Sequence, residues 1–419
     1  MNLLPWPVDP LRAEAADLPS DLRLDEVAVG EAFFAVCLPP PVHGQSLVNA
    51  SVARAATDFG GAGRVELCDI GPGANKFGLK YHLTRVSRVA AAAARLLRGG
   101  RRPRQRFYTV FESGFGVGYN FLLVGLARLL GQDVVLHHHT SEHAFVRQGR
   151  FALLQKLMGP RGLNVALSEE MAENLRILYP DMPPIMVSHN ACHIPAPDLV
   201  QSDLAPRAPR DGGKLRVGYL SNLCREKGLD VVLDVAGKCR ARGLDVTFVF
   251  AGPTVGEEAA AMLAKGREAL GDMIEAIGRV DKEAKEDFFR SIDVFLFPTR
   301  YRYEAQPLVL LEAMSFGLRP ITTNCGFVAE LVGRYGAVFE PDEYLSEMMA
   351  DELQRLVEAP QSVRTSAHDV RGHFMRLRAR AGEQLRQLTR ILLSASPARE
   401  SDAAMVASLA RLPPSAPGL

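Results

Sequence analysis

Short apolar strands alternate with helices along this chain, and the alternation is interrupted once and then begins again. A strand predicted at 32–38 leads into an alanine-rich helix at 46–57, and a second series of the same kind starts at 215–219. Between the two series, residues 195–213 combine proline, glycine and charge without a hydrophobic period, which is typical of a linker. Continuous apolar strands joined by helices form parallel sheets that are covered on both faces. The sequence therefore predicts an α/β fold of two Rossmann-like domains whose parallel sheets face a central cleft.

The length of 419 residues agrees with two domains, because it exceeds the usual size of a single hydrophobic core. We expect an N-terminal domain over 1–205, a C-terminal domain over 206–385, and a helix end with a loosely ordered tail over 386–419. Ligands of open parallel sheets bind at the carboxyl ends of the strands. The functional site is accordingly expected in the cleft between the two domains.

The composition excludes several classes of protein. A formal net charge of +1 argues against a surface that binds polyanions as a whole, and no nucleic-acid partner is expected. The six cysteines are scattered and form no C-x-x-C pair, which favours reduced thiols over disulfides or a zinc knuckle. No apolar run approaches the ~20 residues of a membrane-spanning helix. We expect a cytoplasmic protein that is neither secreted nor transmembrane.

Two carboxylates with seven residues between them, Glu304 and Glu312, follow the predicted strand at 294–297. The first lies on a loop at the carboxyl end of that strand and the second about one turn into the next helix, so both can face one cleft. Such a pair can accept hydrogen bonds from the vicinal hydroxyls of a sugar or ribose. Gln306, Pro307 and Leu308 lie at the helix N-terminus, where backbone N–H groups and the helix dipole suit a diphosphate.

A lysine beside a glycine at a strand-to-helix turn can place an ammonium group on the same diphosphate. Lys227 precedes Gly228 in the segment that follows the strand at 215–219, and it is our leading candidate for this role.

The segment 304–312 resembles the E-x7-E signature of retaining glycosyltransferases of family 4, also called glycosyl transferases group 1. The surrounding phrases at 250–253, 277–280, 291–298 and 312–320 fit the same family, and the resemblance extends from about 214 to 342. It is fainter in the first half, at 165–168 and 189–190. The resemblance implies a GT-B fold and transfer of a sugar from a nucleotide-diphosphate sugar with retention of configuration. It implies no cofactor besides that co-substrate.

Carried over by position, the resemblance assigns Glu304 to the donor sugar and Glu312 to the ribose hydroxyls. Gly44, in the loop after the first strand, and Gly252, in the matching phrase at 250–253, also fall on the donor side. The family usually has an arginine where this chain has Asn222. Either Arg225 supplies that second cation, or one cation and backbone donors hold the diphosphate.

Four histidines and a glutamate at 137–143 suggest a metal site as an alternative, because His139 and His143 would share a face if this segment were helical. The preferred interpretation is that His139 corresponds to the family's cleft histidine, which approaches the donor sugar from the N-terminal domain. The sequence has no D-x-D metal clamp. We therefore expect transfer that needs no metal, with charge on the leaving diphosphate met by Lys227 and helix N-termini.

The glycine-rich turn at 113–118 does not have the spacing of a dinucleotide fingerprint, which counts against a nicotinamide dehydrogenase and favours a tight strand-to-helix connection. Two functions besides sugar transfer stay open. One is that of a GT-B-type nucleotide-sugar epimerase, which needs no acceptor. The second is that of a non-catalytic sugar-nucleotide-binding protein, which Asn222 would favour.

A basic stretch without any acidic residue extends between Ile70 and Phe111. It is either a solvated face or a patch for an anionic membrane surface, where each cation contributes ~1 kcal/mol. The apolar residues Val86, Val89, Leu96 and Leu97 lie among the cations, which indicates an amphipathic helix. The membrane interpretation predicts a peripheral protein in glycan or exopolysaccharide synthesis, with a lipid-linked acceptor instead of a soluble sugar. The cations are Lys76, Lys80, Arg85, Arg88, Arg95, Arg98, Arg101, Arg102, Arg104 and Arg106.

Overall fold

The computed structural model describes residues 30–73, 78–103, 105–197 and 214–394. Within these ranges the chain forms two parallel sheets of six strands each, with helices on both faces. The expected pair of Rossmann-like domains is thereby confirmed.

The first domain contains the strands β1 (Glu31–Val36), β2 (Val65–Asp69), β3 (Gln105–Val110), β4 (Asp133–His137), β5 (Leu163–Ala166) and β6 (Ile185–Val187). Its helices are α1 (Gly44–Gly60), α2 (Leu79–Gly99), α3 (Val117–Leu129), α4 (Glu142–Phe145), α5 (Gly149–Met158) and α6 (Glu169–Leu178).

The second domain contains β7 (Leu215–Leu220), β8 (Val246–Ala251), β9 (Ile274–Gly278), β10 (Val294–Phe297), β11 (Arg319–Thr323) and β12 (Ala337–Phe339). Its helices are α7 (Leu229–Ala241), α8 (Gly256–Leu270), α9 (Lys282–Ser291), α10 (Leu308–Ser315), α11 (Val328–Val332), α12 (Leu345–Glu358) and α13 (Pro360–Leu392).

The first sheet has the order β2-β1-β3-β4-β5-β6, and its central strands are buried on both faces. Phe33 is in register with Phe107, and both belong to the core under α2, α3, α5 and α6. The next residues in each strand, Phe34 and Tyr108, lie in the core on the opposite face, under α1 and the end of α13. The alternation of side chains along a strand thus supplies two separate cores from one apolar run.

Each sheet reverses its direction of growth once. In the first sheet the chain adds β2 on one side of β1 and then β3 on the other side. The second sheet has the order β12-β11-β10-β7-β8-β9: the chain adds β8 and β9 on one side of β7 and then β10 on the other side. At such a switch point the connecting helices leave on opposite faces, which opens a crevice at the carboxyl ends of the two central strands. The crevices therefore lie beyond β1 and β3, and beyond β7 and β10.

The last helix, α13, joins the two domains. Its first part packs against the second domain through Val370 and Phe374, whereas Leu388 and Leu392 are fully buried in the core of the first domain beside α1. Burial of each such leucine contributes about 2 kcal/mol. The boundary predicted at 385 falls inside this helix, and the tail beyond 394 lies outside the described residues.

The basic stretch is less of a surface patch than the sequence suggested. Arg85 pairs with Glu112, Arg88 with Asp69 and Arg102 with Glu31. Arg106 is buried and donates to Ser394. Acidic residues outside the acid-free stretch therefore neutralise three of its cations, which a count along the stretch could not reveal. Lys76 and Arg104 lie outside the described residues, and Lys80, Arg95, Arg98 and Arg101 are exposed.

The amphipathic helix expected in this stretch is α2, but its apolar residues divide between two faces. Val89 and Leu96 are buried against the sheet, whereas Val86 and Leu97 are exposed. None of the helices in the described part of the chain is both long enough and apolar enough to span a membrane.

Candidate active site

Lys227 and Glu304 form an ion pair at the switch point of the second sheet. Lys227 lies in a 3-10 turn, Arg225–Lys227, shortly after β7, and Glu304 lies in the loop between β10 and α10. The turn is followed by Gly228, which has a φ of +84° and packs so closely on the end of β10 that a Cβ atom would collide with the Pro298 carbonyl oxygen. Only glycine allows this approach, and the approach brings the ammonium group to the carboxylate.

Glu304 is held from several directions and is only 7% exposed. The hydroxyl of Thr299 donates to the same carboxylate oxygen as Lys227, at 3.3 Å, and the backbone N–H of Phe327 donates to the Glu304 carbonyl at 3.0 Å. The Lys227 ammonium lies 5.1 Å from the ring centre of Tyr301, within the range of a cation–π interaction. The pair is therefore preorganised at the mouth of the crevice.

Glu312 is not part of this pair. It lies on α10, and its carboxylate pairs with the ammonium of Lys285 on α9. The two carboxylates of the E-x7-E segment are thus each paired with a different lysine. Lys285 was not among the predicted site residues, because the contact between α9 and α10 is tertiary and no sequence spacing signals it.

The turn after β7 places the remaining predicted donor residues differently. Asn222 is exposed just beyond the strand. The guanidinium of Arg225 is exposed and donates to Asp230 at 3.1 Å and to Glu258 at 2.8 Å, so acidic side chains already compensate its charge. Gly252 has a φ of +112°, and a Cβ atom there would collide with the Ser221 carbonyl oxygen. Gly252 therefore lets β8 approach the turn that carries Asn222.

The segment between the two carboxylates connects the domains. The Gln306 side chain is buried; its Nε2 donates to the Leu167 carbonyl at 3.0 Å and its Oε1 accepts from the Asn190 backbone N–H at 2.6 Å. Pro307 caps α10 and has no N–H to offer, so the unpaired donors of this helix begin at Leu308. A Cβ atom on Gly44, at the start of α1, would lie 3.6 Å from the Leu308 side chain. The N-termini of α1 and α10 therefore meet across the cleft.

His139 follows β4 and approaches the same part of the cleft. Burial, and then the neighbouring His193, lower its pKa to about 3, and its ring lies 4.3 Å from that of His137. Its Nε2 atom is buried and has no hydrogen-bond partner among the described residues. His139 is therefore a neutral imidazole with one unused polar atom.

The geometry on which the metal alternative depended is wrong. β4 ends at His137 and α4 begins only at Glu142, so His139 and His143 do not share a helix face. His143 instead contacts His138 at 3.1 Å, and His138 contacts Asn164 at 2.9 Å. In the described ranges, no group of three histidine, cysteine or acidic side chains has an arrangement that could hold a metal ion.

Comparison with known families identifies the second domain. Residues 214–359 match the sequence profile of the family Glycosyl transferases group 1. Residues 214–359 therefore form a group 1 glycosyltransferase domain. It contains all four residues of the two ion pairs, Lys227–Glu304 and Lys285–Glu312. A comparison with curated protein sequences finds no match.

Several solved structures share the fold of most of this chain, and glycosyltransferases are among them. Sucrose-phosphate synthase from Thermosynechococcus elongatus is 16% identical, with a TM-score of 0.65 over 86% of this chain and 99% of that one. A glycosyltransferase from Rickettsia africae is 14% identical, with a TM-score of 0.63 over 87% and 98%. Anabaena HepE in complex with UDP-glucose is 16% identical, with a TM-score of 0.59 over 84% and 99%. These structures show that the chain has the GT-B fold, and the family match assigns residues 214–359 to the group 1 glycosyltransferases.

The buried histidines predict a loss of stability in acid. Burial lowers the pKa of His138 and His193 to about 4 and that of His139 and His189 to about 3, from 6.5. These histidines bind protons less readily in the folded protein, so the unfolded state carries more protons below about pH 6.5. As the pH falls, each histidine therefore lowers the free energy of unfolding by about 1.4 kcal/mol per pH unit until its folded pKa is reached. Urea unfolding between about pH 7 and about pH 5 measures this slope.

The variant His193→Gln tests the origin of the slope. It removes one titrating group, so the slope should decrease by about 1.4 kcal/mol per pH unit. An identical slope in the variant, or a stability independent of pH over this range, would contradict the assignment.

Proposed function

We propose that the protein transfers a sugar from a nucleotide-diphosphate sugar to a sugar or lipid-linked acceptor, with retention of configuration. The observation that carries this proposal is the contact between Lys227 and Glu304 at the switch point of the group 1 domain. The bond to be broken joins the diphosphate to the sugar. At that point a cation suits the diphosphate and a carboxylate suits the sugar. The HepE structure was obtained with UDP-glucose, and this donor is therefore the first to try.

In the proposed complex the ammonium of Lys227 leaves Glu304 for the diphosphate, and Glu304 is released to accept hydrogen bonds from the sugar hydroxyls. The exchange costs little, because each group replaces one charge-assisted contact with another. Glu312 is oriented by Lys285 and would bind the ribose. His139, neutral and with an unused Nε2, would contact the donor sugar from the first domain.

We further propose that transfer needs neither a metal nor another cofactor. Charge on the leaving diphosphate would be met by Lys227 and by the backbone N–H groups at the start of α10. The departing phosphate oxygen can then accept the proton of the acceptor hydroxyl on the same face of the sugar. This route preserves configuration without a carboxylate base.

We also propose that the protein works on a cytoplasmic membrane surface through α2. The exposed apolar residues of this helix recur at helical spacing and so form one stripe along its outer side. The helix contains no acidic residue, and the exposed cations Lys80 and Arg98 flank the stripe, which suits a surface of anionic lipid. The stripe consists of Leu79, Leu83, Val86, Ala90 and Leu97.

Replacement of Lys227 tests the donor site. Lys227→Ala should lower the rate of nucleotide diphosphate release from the preferred nucleotide sugar on the order of 100-fold, because one preorganised charge is lost. Release is measured with UDP-glucose and a panel of other nucleotide sugars. Lys265→Ala on α8 is the matched control, since that lysine is exposed on the same domain. Wild-type turnover by Lys227→Ala would remove this lysine from the mechanism.

The same assay separates a transferase from an epimerase and from a non-catalytic binding protein. An epimerase would change the donor sugar without any acceptor, and a non-catalytic protein would bind the nucleotide sugar without turnover.

Chelation tests the role of metal. Turnover should persist in EDTA at the rate measured without it, because Lys227 and the α10 N-terminus supply the compensating charge. Loss of activity in EDTA that added zinc restores would mean that a metal site, with the histidines as first candidates, takes part after all.

Sedimentation with lipid vesicles tests the α2 stripe. The protein should pellet with vesicles of phosphatidylglycerol and phosphatidylcholine, and less at high salt, because the Debye length falls from ~10 Å at 0.1 M to ~3 Å at 1 M. The double variant Leu83→Glu, Val86→Glu should stay in the supernatant. Ile177→Glu, at an even more exposed apolar position on α6, should not differ from wild type. Equal binding to neutral vesicles, or unchanged binding of the double variant, would exclude this surface.

A further inference from the structure

The glycine-rich turn at 113–118 has no part in the donor site, yet it follows one of the two strands at the switch point of the first sheet. As expected, it is a tight connection, a 3-10 turn at Gly114–Gly116 that leads directly into α3. Glu112 lies between β3 and this turn, and Cys37 lies just after β1. The first crevice is therefore lined by a carboxylate and a thiol.

The turn is built around Glu112. Its backbone N–H donates to the Asn120 side chain at 2.8 Å, and the amide of Asn120 donates to the Val110 carbonyl at 2.8 Å. A Cβ atom on Gly116 would lie 2.8 Å from the Cβ of Glu112, closer than real side chains come. Glycine at 116 and asparagine at 120 thus fix the position of one carboxylate.

Arg85 of α2 compensates the charge of Glu112. Its guanidinium lies 2.7 Å from Oε2, and the two side chains are only 12% and 13% exposed. The ring of Tyr119 lies 5.2 Å from the guanidinium and the hydroxyl of Tyr81 lies 3.3 Å from it, so Arg85 is itself held in place. The pair carries no net charge.

The other oxygen of Glu112 keeps most of its capacity to accept hydrogen bonds. Its contact is the Cys37 thiol, at 3.8 Å. Burial, and then the charge of Glu112, raise the pKa of Cys37 to about 12, so the sulfur stays protonated and is a weak donor. A carboxylate oxygen can accept two hydrogen bonds. When it is buried, a stronger hydrogen-bond donor stabilises it more than a thiol does.

This crevice opens toward the donor site. His43 lies within electrostatic reach of Glu112: burial lowers the pKa of His43, and the negative charge of Glu112 partly opposes that shift. His43 caps α1, whose first residue, Gly44, approaches Leu308 at the start of α10. Glu112 and Glu304 therefore lie in different domains, on either side of the contact between α1 and α10.

Phe115, at the tip of the same turn, is fully exposed, with a relative exposure of 101%. The face of an aromatic ring carries partial negative charge and packs against weakly positive C–H groups. A pyranose ring offers such C–H groups on one face and hydroxyl donors around its edge. Because the pair beside Phe115 is neutral, a neutral ring suits it better than a charged one.

We propose that Glu112, Arg85 and Phe115 form the acceptor subsite and bind a neutral pyranose ring, with Glu112 accepting from its hydroxyls and Phe115 packing on its face. This inference rests on the proposed transferase function, for which it names the class of acceptor. Because Arg85 lies on α2, the subsite lies directly beside the proposed lipid-docking stripe.

The experiment uses the full chain with UDP bound and p-nitrophenyl pyranosides of glucose, galactose, mannose and N-acetylglucosamine as probes. Saturation-transfer NMR should show contact to the pyranose protons of at least one probe. Glu112→Gln should weaken that binding about tenfold or more, because hydrogen bonds to charged groups are among the strong ones. Phe115→Ala, at an exposed position that folding does not depend on, should weaken it as well.

The matched controls are Glu173→Gln and Ile177→Ala, both exposed on α6 of the same domain. They should bind the probes as the wild type does, and all variants should keep the wild-type affinity for UDP. UDP binding without pyranose contact, or pyranose binding unchanged in Glu112→Gln and Phe115→Ala, overturns the subsite alone. Failure of the wild type to bind UDP or the nucleoside diphosphate of any other sugar nucleotide in the panel would instead overturn the proposed function.

Discussion

A parallel sheet that reverses its direction of growth leaves a crevice that its own connecting helices cannot cover. This chain has two such sheets, and the positions of the reversals decide which charged side chains follow neighbouring central strands. Lys227 and Glu304 lie beyond β7 and β10, and Glu112 lies beyond β3 with Cys37 beyond β1. Had β10 been added beside β9 instead of β7, Glu304 could not reach Lys227. The order of the strands is therefore the primary determinant of the site.

Charges placed in a half-buried crevice must be compensated before any ligand arrives. An uncompensated buried charge costs about 3–5 kcal/mol of stability, and each of these carboxylates therefore forms an ion pair. The pairs are Glu304–Lys227, Glu312–Lys285 and Glu112–Arg85. The N-termini of α1 and α10 add backbone donors where the domains meet. A ligand with both anionic and hydroxyl groups can take over these contacts one by one. Binding then replaces one partner of each charged side chain by a group of the ligand, and no new charge has to be buried.

The sequence predicted elements that are continuous apolar runs, and it missed edge strands that are defined by their hydrogen bonds to a neighbouring strand. The strand β10 has the predicted bounds, 294–297, because it is a continuous apolar run between clear breaks. The edge strands β2 and β12 were not predicted; β2 is half polar and β12 has three residues, so neither has a period of its own. Spacing located Glu304 and Lys227. It could not locate Lys285 or the pairing of Arg225 with Glu258, since both contacts join elements that meet only in the folded chain.

The helix α2 shows why one element can serve two surfaces. A helix of this length turns a buried face toward its sheet and an open face toward solvent, and residues on the two faces lie close together in sequence. Arg85 belongs to the inner side and pairs with Glu112, whereas Val86, the next residue, is exposed on the outer side. If the outer side lies on lipid, the inner side is held within one helix diameter, about 10 Å, of the membrane surface. An acceptor anchored in that surface would then reach Glu112 without leaving it, and this proximity connects the proposed docking face to the proposed acceptor subsite.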